Sequence, residues 1–425
     1  MNQPAPSDAP TTSLLGRVVG LAWPIIGLNV LQVLSLAVDT MMVGQVPNAE
    51  VALTGMGYAT QLAFLLAVAM IGLTVGTVAF IARAHGAGLR ERVDHILQQS
   101  TQLTIVLGLL VAVVGNLAAP WLLYALGANE AATAAGLDYL RPLLTFTAFN
   151  YLNILFAATL RGVGNTRLAF VVSLVMNALN VVFNYGLILG NYGLPALGIQ
   201  GAALGTVMSQ ATAALLMFVL LWRGVVPGIR ARIAVAKPDG KLARDLVRIG
   251  TPAAIDMVVL NAAMLAMIGM LGRIDQAAVA AHGIGLRVQG LAFVPGMSIS
   301  QATGAIVGQA LGRNNVDEAR RTLRVSMVLA TAVMSVLAIP LVLNASAIVE
   351  LFSVAPGTPV HEFSVTWMRL LGFGMPVVGL YIAFVGLFQG APFVSVVASL
   401  KPATPELQSR AHSDPRGQPA YPKGD

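Results

Sequence analysis

The stretch LAVDTMMVGQ, residues 36–45, sets one carboxylate, Asp39, in an otherwise apolar run. Placing such a group at the centre of a membrane helix costs about 2.5–3.5 kcal/mol. At helical spacing Asn29, Gln32, Ser35 and Asp39 share about 120° of arc. A second run, SLVMNALNVVFNYG, is narrower: Ser173, Asn177, Asn180 and Asn184 fall within about 60° of one another. Thr206 follows in GAALGTVMSQ. A carboxylate, two amides and a hydroxyl form an all-oxygen shell that suits a hard cation or a proton, not a soft metal. Intramembrane carboxylates of this kind face a bundle interior and mark ion or proton pathways. The competing role is interhelical glue, at about 0.6 kcal/mol per contact. An Asn stripe alone fits either role; the cost of Asp39 favours the site.

Other polar residues carry weaker signals. Asp256 lies four residues after Pro252 and is either a second titrating group or a partner of Arg248 at the membrane interface. His282, in AAHGIGLRVQG, reads more readily as a hydrogen-bonded structural histidine than as a switch. Arg287 in the same stretch is deep enough to need a partner. Pro24, Pro252 and Pro376 sit where a kink is tolerated.

The chain has 425 residues, 56% hydrophobic and 10% charged. A soluble domain carries about a quarter charged residues. The mean hydropathy of +0.77 agrees. Ten apolar runs are each long enough to cross a ~30 Å hydrocarbon core: roughly 17–43, 51–82, 96–126, 139–160, 168–190, 199–222, 249–271, 277–311, 325–352 and 364–389. The fold expected is an all-α polytopic membrane protein. The net charge of +7 does not imply nucleic acid, because Lys and Arg gather in alternate loops. Those loops hold Arg17; Arg83, Arg90 and Arg92; Arg161 and Arg167; the basic segment from Arg223 to Arg248; and Arg313, Arg320, Arg321 and Arg324. The positive-inside rule puts them, and the N-terminus, in the cytoplasm. The polar start MNQPAPSDAPTTS has no basic n-region, so the first helix is expected to stay in the mature protein.

The chain repeats itself at a shift of 228. Pro24 falls on Pro252, Gly44 on Gly272, Gly55 on Gly283, Gly76 on Gly304 and Ala82 on Ala310. Six spans per repeat give both copies the same polarity, as in parallel-repeat transporters. The expected organisation is a polar N-terminus at 1–16, a six-helix lobe at 17–222 and a basic linker at 223–248. An incomplete four-helix lobe at 249–390 and a Pro-rich, disordered tail at 391–425 follow. The chain has no cysteines, no phosphate-binding Gly-rich loop with Lys-Ser/Thr, no metal-ligand spacing among its five histidines and no nucleophilic triad. An enzyme, an ATP-driven motor and a cofactor or metal protein are not expected.

VDTMMVGQ with Pro24, the loop ARAHGAG, RGVGNTR at 161–167, NVVFNYGLILGNYGLPALGIQGAALGT, and AAHGIGLRVQG followed by VGQALGRNN resemble the multidrug and toxic compound extrusion (MATE) family. The resemblance covers roughly residues 15–390. It implies twelve helices in two lobes around a V-shaped cavity, and export of bulky, often cationic, organic compounds driven by entry of sodium ions or protons. By the same resemblance Asp39 matches the family's helix-one acid, Asn180, Asn184 and Thr206 match its cation-site partners, and Asp256 matches an acidic position of some members. Asn29, Gln32 and Asn177 are candidates for lining the cavity. The sequence departs from the family in three places. Asn184 stands where some members have Asp, Val378 where some have an acid, and APFVSV with a Pro-rich tail where two more helices continue. The chain is therefore expected to be truncated after the tenth helix. The reading is a monomeric secondary antiporter of the inner membrane, taking a small organic substrate, surrounded by lipid and coupled to protons or sodium. The alternatives are a lipid-linked precursor flippase of related architecture and a truncated, non-transporting membrane protein.

Overall fold

Side-chain oxygens mark where helices begin: Ser13, Asn129, Asn165, Asp239, Asp275, Asn315 and Thr358 each accept a main-chain N–H in the first turn that follows. The computed structural model describes residues 13–232 and 236–391, so most of the polar N-terminus and all but the first residue of the expected disordered tail lie outside the described residues. In chain order the helices are α1 (Leu14–Val43), α2 (Ala49–Gly86), α3 (Arg90–Ala125), α4 (Glu130–Thr145), α5 (Thr147–Val163) and α6 (Thr166–Leu189). They continue as α7 (Ile199–Trp222), α8 (Gly240–Ile274), α9 (Gln276–Gly312), α10 (Val316–Leu343), α11 (Ala345–Glu350) and α12 (Pro359–Gly390).

Nine of these helices are long and apolar enough to cross a membrane, and α4 with α5 makes a tenth, bent by 57°. The ten expected spans are all present. The fourth differs in being broken: Phe146, at φ −108° and ψ 19°, leaves the helical conformation and is the joint between α4 and α5. The ninth ends earlier, at Leu343, and the short α11 follows it.

The repeat appears in three dimensions at the basic end. The α2–α3 turn passes through Gly88 and the α9–α10 turn through Asn314, both at positive φ. Gly86 is packed against the main-chain oxygen of Gln309, and Gly312 against that of Arg83. This reciprocity, 86 with 309 and 312 with 83, is what a two-fold relation produces. These counterparts are 226 residues apart, not 228. Five residues join α1 to α2 and one joins α8 to α9, so no single ungapped register serves the whole repeat.

α1 packs on α6, α6 on α7, and α4 and α5 on α2 and α3. α9, α10 and α12 form the second group. The helix between them, α8, is divided. Leu242 and Leu246 are buried in one core with Met70, Leu73, Ile96, Leu97 and Leu221 of the first group. Past Gly250, which abuts the main chain of Gly72, α8 buries no residue.

Candidate cation site

Two rungs of side chains, one helical turn apart, cross from α1 through α6 to α7. In the first, Ser35 Oγ donates to Asn180 Oδ1 at 3.1 Å, and Asn180 Nδ2 donates to Thr206 Oγ1 at 3.1 Å. In the second, Asn184 Nδ2 donates to Asp39 Oδ1 at 2.6 Å, and the Asn184 amide lies against Gly205. The i, i+4 spacing of Ser35 with Asp39 and of Asn180 with Asn184 stacks the rungs. The third upright is supplied by GAALG: Gly201 lets α7 approach the main chain of Leu187, the small-residue crossing common between membrane helices.

Asp39 is 6% exposed, Asn180 3% and Asn184 0%. A hydrogen bond from a neutral amide favours the ionised carboxylate, while burial opposes it. The result is a single buried carboxyl group held by a neutral amide, with no ion pair to it among the described residues. Such a group can take up and release a proton, or a hard cation with oxygen ligands. Tyr139 of α4, 5% exposed, lies within electrostatic reach of Asp39. Sequence reasoning missed Tyr139, because a tyrosine in an apolar helix carries no obvious cost.

The other candidates are placed elsewhere. Asn29 Nδ2 donates to Ser298 Oγ of α9 at 3.1 Å and so ties the two helix groups together. Asn177 Nδ2 bonds to Ser173 O in its own helix. Gln32 is exposed. Asp256 is also exposed and sits on α8, where it lines a groove of about 660 Å³ with Arg248, Thr251, Pro252, Ile255 and Val259. It is two turns from Arg248, and no ion pair joins them among the described residues. His282 is 2% exposed and stacks edge-on against Trp367; both ring nitrogens lack a hydrogen-bond partner, contrary to the expected bonded role. Arg287 is exposed rather than buried beside a counter-ion. Among the described residues no group of three or more His, Cys, Asp and Glu could hold a metal ion.

Comparison with known proteins decides the family. The MatE family profile matches residues 24–186 and 252–399. The chain belongs to the MatE family. This is a family of transporters, not enzymes. "Multidrug resistance protein NorM" of Burkholderia vietnamiensis is 32% identical over 338 residues, covering 78% of this chain and 71% of that protein. "Probable multidrug resistance protein NorM" of Thermotoga maritima is 27% identical, covering 84% and 75%. Among solved structures, an outward-facing multidrug resistance MATE family transporter superposes with a TM-score of 0.81 at 22% identity, over 89% of this chain and 83% of its own. A MATE crystal structure in a straight conformation gives 0.79 at 23%, over 89% and 83%. These likenesses establish the fold. They do not support truncation after the tenth helix: the second profile match runs on to residue 399, beyond Gly390. The Pro-rich change of composition is not a break in the family pattern at its start, because the profile reads through it.

Proposed function

We propose that this MatE-family chain is a secondary antiporter that exports organic compounds, often cationic, in exchange for a cation bound at Asp39. The observation that carries the reading is the buried Asp39 carboxylate, bonded to Asn184 and backed by the Ser35–Asn180–Thr206 rung. Paying to bury a lone carboxylate makes sense where its charge is periodically cancelled. Binding of the cation and export of the substrate are linked through rocking of the two helix groups, as parallel-repeat transporters do. The basic end faces the cytoplasm of the inner membrane, and the two lobes are residues 17–222 and 249–390 with the 223–248 segment between them.

The coupling ion is a proton or sodium. Asn184 presents its N–H to Asp39, which stabilises the ionised carboxylate; for its own oxygen to join a sodium shell the amide would have to turn and offer Oδ1. Asp256 of α8 is the second acidic candidate. The test is efflux from cells and uptake into inverted vesicles, driven by a proton gradient or a sodium gradient. Asp39→Asn should insert normally and lose ion-driven transport of an organic cation such as ethidium. Wild-type transport by Asp39→Asn at equal abundance would overturn the assignment.

A further inference from the structure

We propose that Gly205 is a positioning residue of the cation site: the missing side chain lets the Asn184 amide lie against α7 with its N–H fixed on Asp39. This rests on Asp39 as the coupling group. The starting observation is an orphan. Asn184 is wholly buried, its Nδ2 is on Asp39, and its Oδ1 has no hydrogen-bond partner. Buried acceptors without partners are few in native proteins, and each asks for a reason. Here the reason is what stands opposite.

A Cβ on Gly205 would overlap Asn184 Oδ1 and would lie 3.1 Å from both Asn184 Cγ and its main-chain N. The Cα–H that such a side chain would replace therefore points at the amide oxygen, a weak but favourable contact. Turned the other way, the amide would set its oxygen against the Asp39 carboxylate and its NH₂ against a C–H group. Both ends would then be mismatched. Gly205 thus selects one of the two amide orientations, the one that donates to Asp39.

The neighbouring glycine separates this role from ordinary close packing. Gly201, one turn earlier on α7, has main-chain atoms of Leu187 and Ile188 as its nearest neighbours. It sets how closely α7 crosses α6. Gly205 meets a side chain that touches the carboxylate. A methyl group at 201 should therefore disturb the crossing, whereas a methyl group at 205 should dislodge the amide.

The test compares Gly205→Ala, Asn184→Ala, their double variant and Gly201→Ala, in purified protein reconstituted into vesicles. Infrared spectroscopy reads the Asp39 carboxyl band, identified by its loss in Asp39→Asn. The expected result is that Gly205→Ala moves this band as Asn184→Ala does. Each should lower ion-coupled efflux about tenfold, the scale of a lost hydrogen bond to a charged group. The double variant should be no worse than Asn184→Ala, because no amide remains for the methyl to strike. For the same reason it should melt at a higher temperature than Gly205→Ala, which keeps the comparison decisive if the single variant folds poorly. Gly201→Ala should lower the melting temperature and leave the band in place. An unmoved band in Gly205→Ala, losses that multiply in the double variant, or no recovery of its melting temperature would overturn the proposal. If Asp39→Asn transports like wild type, the coupling reading fails, while the band comparison still decides the role of Gly205.

Discussion

Asp39 was legible because charge in an apolar run is costly, and the cost asks for a partner. The Asn stripe supplied candidates but could not rank them, since an amide is content with its own helix, another helix or water. The structure ranks them: Asn180 and Asn184 bridge three helices, Asn177 turns back on Ser173, and Asn29 reaches Ser298. Gly205 and Tyr139 were not legible, because neither residue type is out of place in a membrane helix. If the rungs act in transport, Asn180→Leu should lower coupled efflux at least about tenfold, because the Ser35 and Thr206 hydroxyls lose their shared partner. Val182→Ala, on the opposite and exposed face of α6, should transport as wild type. Equal losses from the two variants, at matched abundance, would return the stripe to packing glue.

At the scale of elements, the apolar runs marked ten crossings well, because length and hydropathy are nearly sufficient conditions in a membrane. The basic segment between Arg223 and Arg248 was harder to read, since a polar, Pro- and Gly-containing stretch gives no hint of what it rests on. It is not a loose tether where it is described. Asp94 accepts from Arg230 N at 2.7 Å, Gln99 and Gln102 donate to Lys237 O at 2.8 Å and Ala236 O at 3.1 Å, and Gln99 Oε1 accepts from Asp239 N at 3.1 Å. Asp239 in turn caps α8 and contacts His95 at 3.2 Å. The Leu242 N–H, then the His95 side chain, hold its carboxyl below the usual carboxylate range. A carboxyl lowered by the fold stabilises it above the unfolded value, about 4, and that contribution is lost as the pH falls through the lower folded value. The clamp should thus persist at neutral pH and loosen only in strong acid. Asp239→Ala should expose Lys237 and Lys241 to trypsin several-fold faster than in wild type at pH 7. Unchanged cleavage would mean that the α3 amides hold the segment unaided.

Across the whole molecule, the two helix groups meet through contacts stacked from the basic end toward the middle. Arg17 of α1 donates to Glu318 of α10 at 2.6 Å, and Arg313 reaches the same oxygen at 2.9 Å. Deeper lie the Gly86 and Gly312 crossings, Gln309 Nε2 on Gly162 O at 2.9 Å, and a small apolar cluster of Val18, Ala22 and Ile25 with Ile299, Ala302 and Ile306. This seam joins the two helix groups at the basic end, and it is the contact that the rocking proposed above would open. The glycine and apolar layers fit by shape, whereas the Glu318 layer is a partly exposed charge cluster that a single substitution can release. Its pairing was hidden in the sequence, where Arg17 and Glu318 stand 301 residues apart. Such a network is worth up to about 1 kcal/mol, or about a fivefold shift between two conformations. Because the chain contains no cysteine, spin labels at Leu15→Cys and Arg321→Cys report the seam without a background. Glu318→Gln should enrich the longer-distance population about fivefold in detergent or lipid, and high salt should move the wild type the same way while leaving Glu318→Gln nearly unchanged. Identical distance distributions with and without the Glu318 charge would show that the glycine and apolar layers alone keep the basic end closed.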